Sequence, residues 1–295
     1  MKQPAAGTYL LSNSGFSLEE KPFLALQQDG VFTDLAPLGK TITLAFDMTT
    51  RFCVGWRDIR TGERFACPDS HTLDGKYDQC QPCQNRTGFN PAFYHATSVS
   101  SQQEERNAEP HILYLAHFAS GVMKVGISYG ARQKSRLLEQ GARSAIILDT
   151  FPTAHIARQY EAKIAKLPGI AETIQLRKKI QSLDRPYDQE AAAEELQKTR
   201  LEIEQAVGIT FADSNVLHFD ETYFPNGIPS LSDAHEMSSD NVISGRCIGM
   251  LGSLLFCSYS DSTVFLPMKK YTGYQLTLGY TEIPLSLPAQ QTTLF

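Results

Sequence analysis

The chain has 295 residues, 42% of them hydrophobic, enough for ordinary cores and for about two domains. No apolar run reaches the ~18 residues of a membrane-spanning helix, and the N-terminus carries Lys2 with no apolar signal core behind it, so a soluble, cytoplasmic protein without a membrane partner is expected. The net charge of −5 excludes a uniformly basic protein, but the charge is divided: residues 111–180 hold eleven Lys/Arg against four Asp/Glu, and the remainder holds sixteen against twenty-eight.

In chain order, residues 40–46 (KTITLAF) alternate and are β-branched, which predicts a strand in a β-rich first segment, residues 1–98. Residues 53–93 are rich in Gly, Asp, Asn, Pro and Cys and cannot bury much apolar surface, so this stretch needs a staple. Residues 98–110 are polar and aperiodic and read as a linker. Residues 111–118 and 122–128 form two apolar runs around Ala119-Ser120-Gly121, a hairpin pattern. A helix is expected over 132–141, stopped by Gly141, then a strand over 145–149. A helix capped near Thr153 should run to about Leu167, burying a stripe of Ile156, Tyr160, Ile164 and Leu167. Two further helices, 170–181 and 189–207, are expected as an antiparallel pair. Residues 216–295 return to short β runs with Gly, Ser and Asp turns, a meander or small barrel.

Cys53, Cys67, Cys80 and Cys83 form C-x13-C-x12-C-x2-C. The closing Cys80-Gln-Pro-Cys83 directs two sulfurs at one point, and zinc accepts four thiolates tetrahedrally. The expectation is a structural Zn2+ held by the four cysteines, with His71 as an alternative ligand. Four buried, reduced thiols are the plainer reading. Cys247 and Cys257 sit in apolar β runs and are expected in the core.

The hairpin and the two helices after it resemble the GIY-YIG nuclease superfamily. The matching pieces are Leu113-Tyr114-Leu115, Lys124-Val125-Gly126, Arg136-Leu137 and Glu161 within ARQYEAKI. The pattern is similar to the phage-type branch, with Lys124 in place of the second tyrosine. Most of the chain further resembles a zinc-cluster-containing family catalogued as domain of unknown function 2797, through CVG…C…QCxxC and then YLA…KVGIS…R…R…QGA. These resemblances imply an α+β protein: a GIY-YIG-like α/β module at 111–215, with a small antiparallel sheet and flanking helices, inserted in a β-rich body with a zinc-binding lobe at 53–83. The first and last β segments would then pack together.

The nuclease resemblance implies a metal-dependent endonuclease. Arg136 would stabilise charge developing on the phosphate, Tyr114 would position or deprotonate the attacking water, and Glu161 would hold a Mg2+ or Mn2+ ion. Lys124 would contact phosphate, Arg132 would assist one turn before Arg136, and Gly126 would leave room for the substrate backbone. Each residue also has a plainer reading: Tyr114 as strand packing, Gly126 as a turn glycine, the arginines as a solvated helix face, Glu161 as a surface ion pair. Two other functions fit the same residues. One is a catalytically silent nucleic-acid-binding module, on DNA or RNA. The other is a zinc-stapled protein-interaction protein, with the charged helices as docking surfaces.

Overall fold

The structure is a computed structural model describing residues 3–90, 93, 98–132, 134–212, 214–231 and 234–287. Gln133, inside the helix expected at 132–141, lies outside the described residues, as do small parts of the 53–93, 111–215 and 216–295 stretches.

The chain opens with β1 (Gly7–Phe16), β2 (Pro22–Gln28), β3 (Val31–Leu35) and β4 (Thr41–Arg51). A cysteine lobe comes next, with β5 (Trp56–Arg57), β6 (Arg64–Phe65) and α1 (Gln81–Thr87), and then α2 (Ser101–Asn107). The middle of the chain holds β7 (His111–Ala119), β8 (Val122–Tyr129), α3 (Ser135–Gln140), β9 (Ser144–Phe151), α4 (Ala154–Ile164), β10 (Ile170–Ala171), α5 (Leu176–Leu183), α6 (Gln189–Val207), β11 (Val216–His218) and α7 (Asp220–Tyr223). It closes with β12 (Ala234–Glu236), β13 (Val242–Leu251), β14 (Leu254–Tyr259), β15 (Ser262–Pro267) and β16 (Tyr274–Gly279).

Two sheets organise these strands. A nine-stranded sheet runs β12-β15-β14-β13-β4-β16-β1-β2-β3, so both ends of the chain share one β body. In β4, Ile42, Leu44 and Phe46 alternate into a core with Leu11, Leu24, Leu26 and Leu276. The body is an open sheet, and β13, β14 and β15 form its meander. A five-stranded sheet, β10-β8-β7-β9-β11, forms the middle of the chain. Its central strand β7 is buried along its whole length. Because side chains alternate along a strand, Tyr114, Ala116 and Phe118 enter a core shared with the β body, beside Leu137, Tyr223 and Phe256. Leu113 and Leu115 face the other way, onto α4 (Ala157, Ile164) and α6 (Leu196, Ile203).

The shared core fixes α3. Gly141 adopts φ 71° and ends the helix in the left-handed cap that glycine reaches without strain. The fully buried Tyr223 donates toward the carbonyls of Leu138 (3.2 Å), which also accepts from the Gly141 amide, and of Ala142 (2.9 Å), just past the helix end. Arg143 pairs with Asp220 of α7 at 2.7 Å. The arginine-bearing helix is therefore held by residues more than 70 positions downstream.

Several expectations are corrected. The linker at 98–110 contains α2, capped by Ser100, whose hydroxyl accepts from the Gln103 amide at 3.2 Å. Gln103 is buried and pairs with both backbone groups of Asn90 at 2.8 Å, a polar burial that hydropathy does not register. Residues 170–171 form strand β10, and the helix expected there is confined to Leu176–Leu183. The expected helical pair does not form: Leu183 of α5 lies in the shared core, and Leu196 and Ile203 of α6 lie on the opposite face of the sheet. The buried face of α4 runs through Ala154, Ala157, Glu161 and Ile164, and Ile156 is exposed. Ile164 of the predicted stripe is buried, and Tyr160 and Leu167 pack against the same core, so Ile156 alone departs from it, with Ala154, Ala157 and Glu161 completing the inner face. Arg132 belongs to a separate 3-10 turn, Gly130–Arg132, ahead of α3. Cys247 and Cys257 are buried, reduced and opposite each other on β13 and β14.

Candidate metal centre and anion site

The four Sγ atoms of Cys53, Cys67, Cys80 and Cys83 all lie within 4.8 Å of one another. Cys80 is the extended residue ahead of α1 and Cys83 lies in its first turn, so Cys-x-x-Cys opens this helix with Pro82 where a proline is tolerated. The Cys80 amide donates to Cys53 Sγ at 3.2 Å. Burial pushes the thiols of Cys53 and Cys83 up, Cys83 further by its neighbours Cys80 and Cys53. Burial acts the same way on Cys67, but hydrogen bonding from His71 and Asp69 outweighs it and holds Cys67 at about 6. Four thiolates this close repel one another unless a cation sits among them, so the donor set fits a tetrahedral zinc ion. His71 Nδ1 stands 3.8 Å from Cys67 Sγ, beside that ligand and outside the four-sulfur group.

The second site lies on the five-stranded sheet. Tyr114 on β7 and Gly126 on β8 are cross-strand partners, as are Ala116 and Lys124. Tyr114 and Lys124 therefore point to the α3 and α5 side. The Tyr114 ring lies across Gly126: a Cβ there would stand 2.6 Å from Tyr114 Cζ. This corrects the expected role of Gly126, because its missing side chain makes room for the tyrosine and leaves no gap for a substrate backbone. Gly126→Ala should lower unfolding free energy by about 1–3 kcal/mol, an overpacking cost measurable by urea denaturation. An unchanged midpoint would contradict this contact.

Burial raises the Tyr114 pKa, and the neighbouring Arg136 guanidinium pulls it partly back. The phenol is thus protonated at neutral pH and acts as a hydrogen-bonding group. Lys124 is buried and donates to the Glu172 carbonyl. Burial lowers its pKa, and the nearby charge of Arg136 lowers it further. Lys179 of α5 rests 5.6 Å over the Phe118 ring. Burial, then repulsion from Lys124, Arg136 and Lys269, brings it down to about 8. Arg136 and Arg132 converge on Glu139, Arg136 at 3.5 Å.

Glu161 comes from α4, on the opposite face, yet reaches the same region. Strand β10 pairs with β8 only at Met123 and Lys124. At this edge Lys124 meets Glu172, Arg158 lies 4.0 Å from the Glu172 carboxylate, and Arg158 pairs with Glu161. Glu161 is 5% exposed, and burial raises its pKa against the opposing pull of Arg158 and Lys124. The structure thus brings Tyr114, Lys124, Arg136 and Glu161 into one electrostatic neighbourhood, with Arg132 at its margin. Arg158, the ion-pair partner of Glu161, joins them, as do Glu172 and Lys179, for which the basic run Arg177-Lys178-Lys179 is the one signal in the sequence. His117 takes no part: it bonds the Tyr187 hydroxyl (2.9 Å) and Glu195 (3.1 Å) and ties β7 to α6.

Among the described residues no helix is long and apolar enough to cross a membrane. The chain belongs to the family described as Protein of unknown function (DUF2797), whose profile matches residues 39–276. That match takes in the cysteine lobe, the five-stranded sheet and most of the β body. Comparison with curated proteins and with solved structures finds no significant match.

Proposed function

We propose that this protein is a metal-dependent endonuclease of GIY-YIG type, acting on the phosphodiester backbone of a nucleic acid at the edge of β8. The observation that carries the reading is the gathering of Lys124, Arg136 and Lys179 on the Tyr114 side of the sheet. The Arg136 charge lowers the pKa of both lysines, and Lys179 has no ion-pair partner among the described residues. Holding like charges together costs free energy that a bound polyanion repays. Arg136 would stabilise charge on the phosphate oxygens. Lys124 and Lys179 would anchor neighbouring oxygens as point charges, and Tyr114 would orient the attacking water by hydrogen bonding. Glu161, with Glu172 beyond Arg158, supplies the carboxylates for a divalent ion, which neutralises phosphate charge when bound.

The pairing of Glu161 with Arg158 favours a second reading, nucleic-acid binding without turnover, because a cation must displace that guanidinium. Incubating the protein with supercoiled DNA and structured RNA, with Mg2+ or Mn2+ and with chelator, separates the two. Divalent-dependent nicking supports the first. Salt-sensitive binding with no nicking under any ion supports the second. Absence of both ends the phosphate reading.

The site also predicts a pH dependence. Lys179 is charged below about 8 and neutral above it. Nucleic-acid binding at fixed salt should therefore weaken between pH 7 and 9.5, a loss that Lys179→Arg reduces because a guanidinium stays charged while Lys124 still titrates. Equal pH dependence in the variant would rule out Lys179 as a contact.

A further inference from the structure

A cleft of about 1130 Å³ opens between the cysteine lobe and the first β-hairpins, apart from the anion site. Its walls carry Phe32, Trp56, Tyr77 and Phe89. Tyr77 and Phe89 are 59% and 58% exposed, so both rings are accessible from the cleft they line. Trp56 is held in place by stacking on Phe65, with centroids 4.0 Å apart and planes 11° from parallel.

Polar groups are arranged among the rings. On α1, Gln81 Nε2 donates to Asn85 Oδ1 at 2.8 Å. That bond leaves the Gln81 carbonyl oxygen and the Asn85 amide nitrogen, one acceptor and one donor on the same helix, with no protein partner among the described residues. Arg64 is committed to Asp34 at 2.7 Å, and the lining carboxylate of Asp78 is committed to Arg51. Arg57 forms no ion pair among the described residues. Its side chain reaches solvent at the rim, and its pKa is lowered by partial desolvation there and by repulsion from Arg132, Arg106 and Arg64, against the opposing pull of Glu139. Arg132 also shares Glu139 with Arg136, so a line of guanidinium groups leads from the cleft toward the candidate phosphate site.

We propose that the cleft binds unpaired bases of a single-stranded nucleic acid, with Tyr77 and Phe89 as stacking surfaces, Gln81 and Asn85 contacting base edges, and Arg57 on the backbone leading to Arg136. This rests on the phosphate reading above and names its substrate class. A duplex does not fit the same groups, since paired bases are stacked on each other and offer no ring face to a side chain. Aromatic platforms beside basic groups are the general solution for single strands. The cysteine lobe then has a task beyond the fold: a metal-stapled wall that holds the reading surface rigid.

The test uses the one tryptophan of the chain, Trp56, as a reporter inside the cleft. A fluorescein-labelled twelve-nucleotide single strand and a hairpin duplex of equal charge are titrated into the full-length protein, following anisotropy and Trp56 emission. The expected result is quenching of Trp56 by the single strand, weaker binding of the duplex, and loss of about tenfold in affinity for each of Phe89→Ala and Tyr77→Ala. Arg57→Glu should cost at least as much. All three side chains are exposed, so these variants should fold; unchanged thermal unfolding verifies it. Lys124→Met should weaken the strand's affinity while leaving the quench at saturation. A strand that binds without altering Trp56, and equally to Phe89→Ala and Tyr77→Ala, overturns the cleft proposal and leaves the phosphate site standing. No binding at low salt overturns both.

Discussion

Arg136→Ala should slow divalent-dependent phosphodiester cleavage by about 10²–10³-fold, the scale seen when one preorganised donor to a developing oxyanion is removed. The loss should fall on kcat more than on KM, because the interaction strengthens as charge grows on the phosphate. Arg136 is partly exposed and meets Glu139 at 3.5 Å, so the change should leave the fold intact; circular dichroism and thermal unfolding provide the check. Arg132→Ala is the internal control. Arg132 sits in its own 3-10 turn and is paired with Glu139, so its removal should reduce binding a few-fold at most. Glu161→Gln keeps the shape of the side chain and removes its charge. It should abolish cleavage while retaining nucleic-acid binding, since the divalent ion loses its carboxylate and the cationic group stays in place. Equal cleavage by wild type, Arg136→Ala and Glu161→Gln would remove the catalytic reading, and salt-dependent binding would then define the protein.

The second large effect concerns the cysteine lobe. Metal analysis of the purified full-length chain should find one zinc per molecule, and Cys83→Ser should lose it. Apparent zinc-binding free energies in small thiolate domains reach about 10–16 kcal/mol at neutral pH, all of it available to folding. Within residues 53–87 the secondary structure is limited to the two-residue strands β5 and β6, the seven-residue α1 and a single β-bridge from Thr72 to Phe52, and the buried centre is the cysteine group itself with Trp56 and Leu73 packed against it. Removing the metal should therefore unfold the lobe locally. Limited proteolysis should then cut at its arginines, such as Arg57 and Arg86, while the nine-stranded sheet keeps its unfolding midpoint. A metal-free chain with an equally protected lobe would show that the four thiols are core residues only. The same variant should abolish the Trp56 response to single strands, because the cleft loses one wall.

Local periodicity and spacing account for the features legible in the sequence. The hairpin of β7 and β8 announces itself through two apolar runs around Ala119-Ser120-Gly121, and Gly141 marks the end of α3 because only its left-handed conformation closes the last turn cheaply. The cysteine cluster was legible because Cys80-x-x-Cys83 is a local geometry. The grouping of Cys53 and Cys67 with it follows from the chemical expectation that four thiols able to bind one cation lie together. Polar burial was legible only in part. Gln103 and Asn107 are among the buried residues of α2, where hydropathy patterns assign solvent; the place of Glu161 at the inner face of α4 is suggested by its neighbour Tyr160 in the predicted stripe.

The amino-acid order alone therefore determined the cysteine centre, the hairpin and the identities of Tyr114, Lys124, Arg136 and Glu161. Tertiary structure decided how they meet. Alternation along β7 sends Tyr114 and Leu113 to opposite cores, so α3 and α4 lie on different faces, and the short strand β10 leaves most of β8 as an edge where Lys124 feels the charges of both Arg136 and Glu161. It also decided that α5 and α6 part company, placing Lys179 against Phe118 and into the cationic group. The physical reason is range. Strand and helix signals act over a few residues, whereas the field around Lys124 is the sum of charges from three separate segments, and no local pattern encodes a sum over distance.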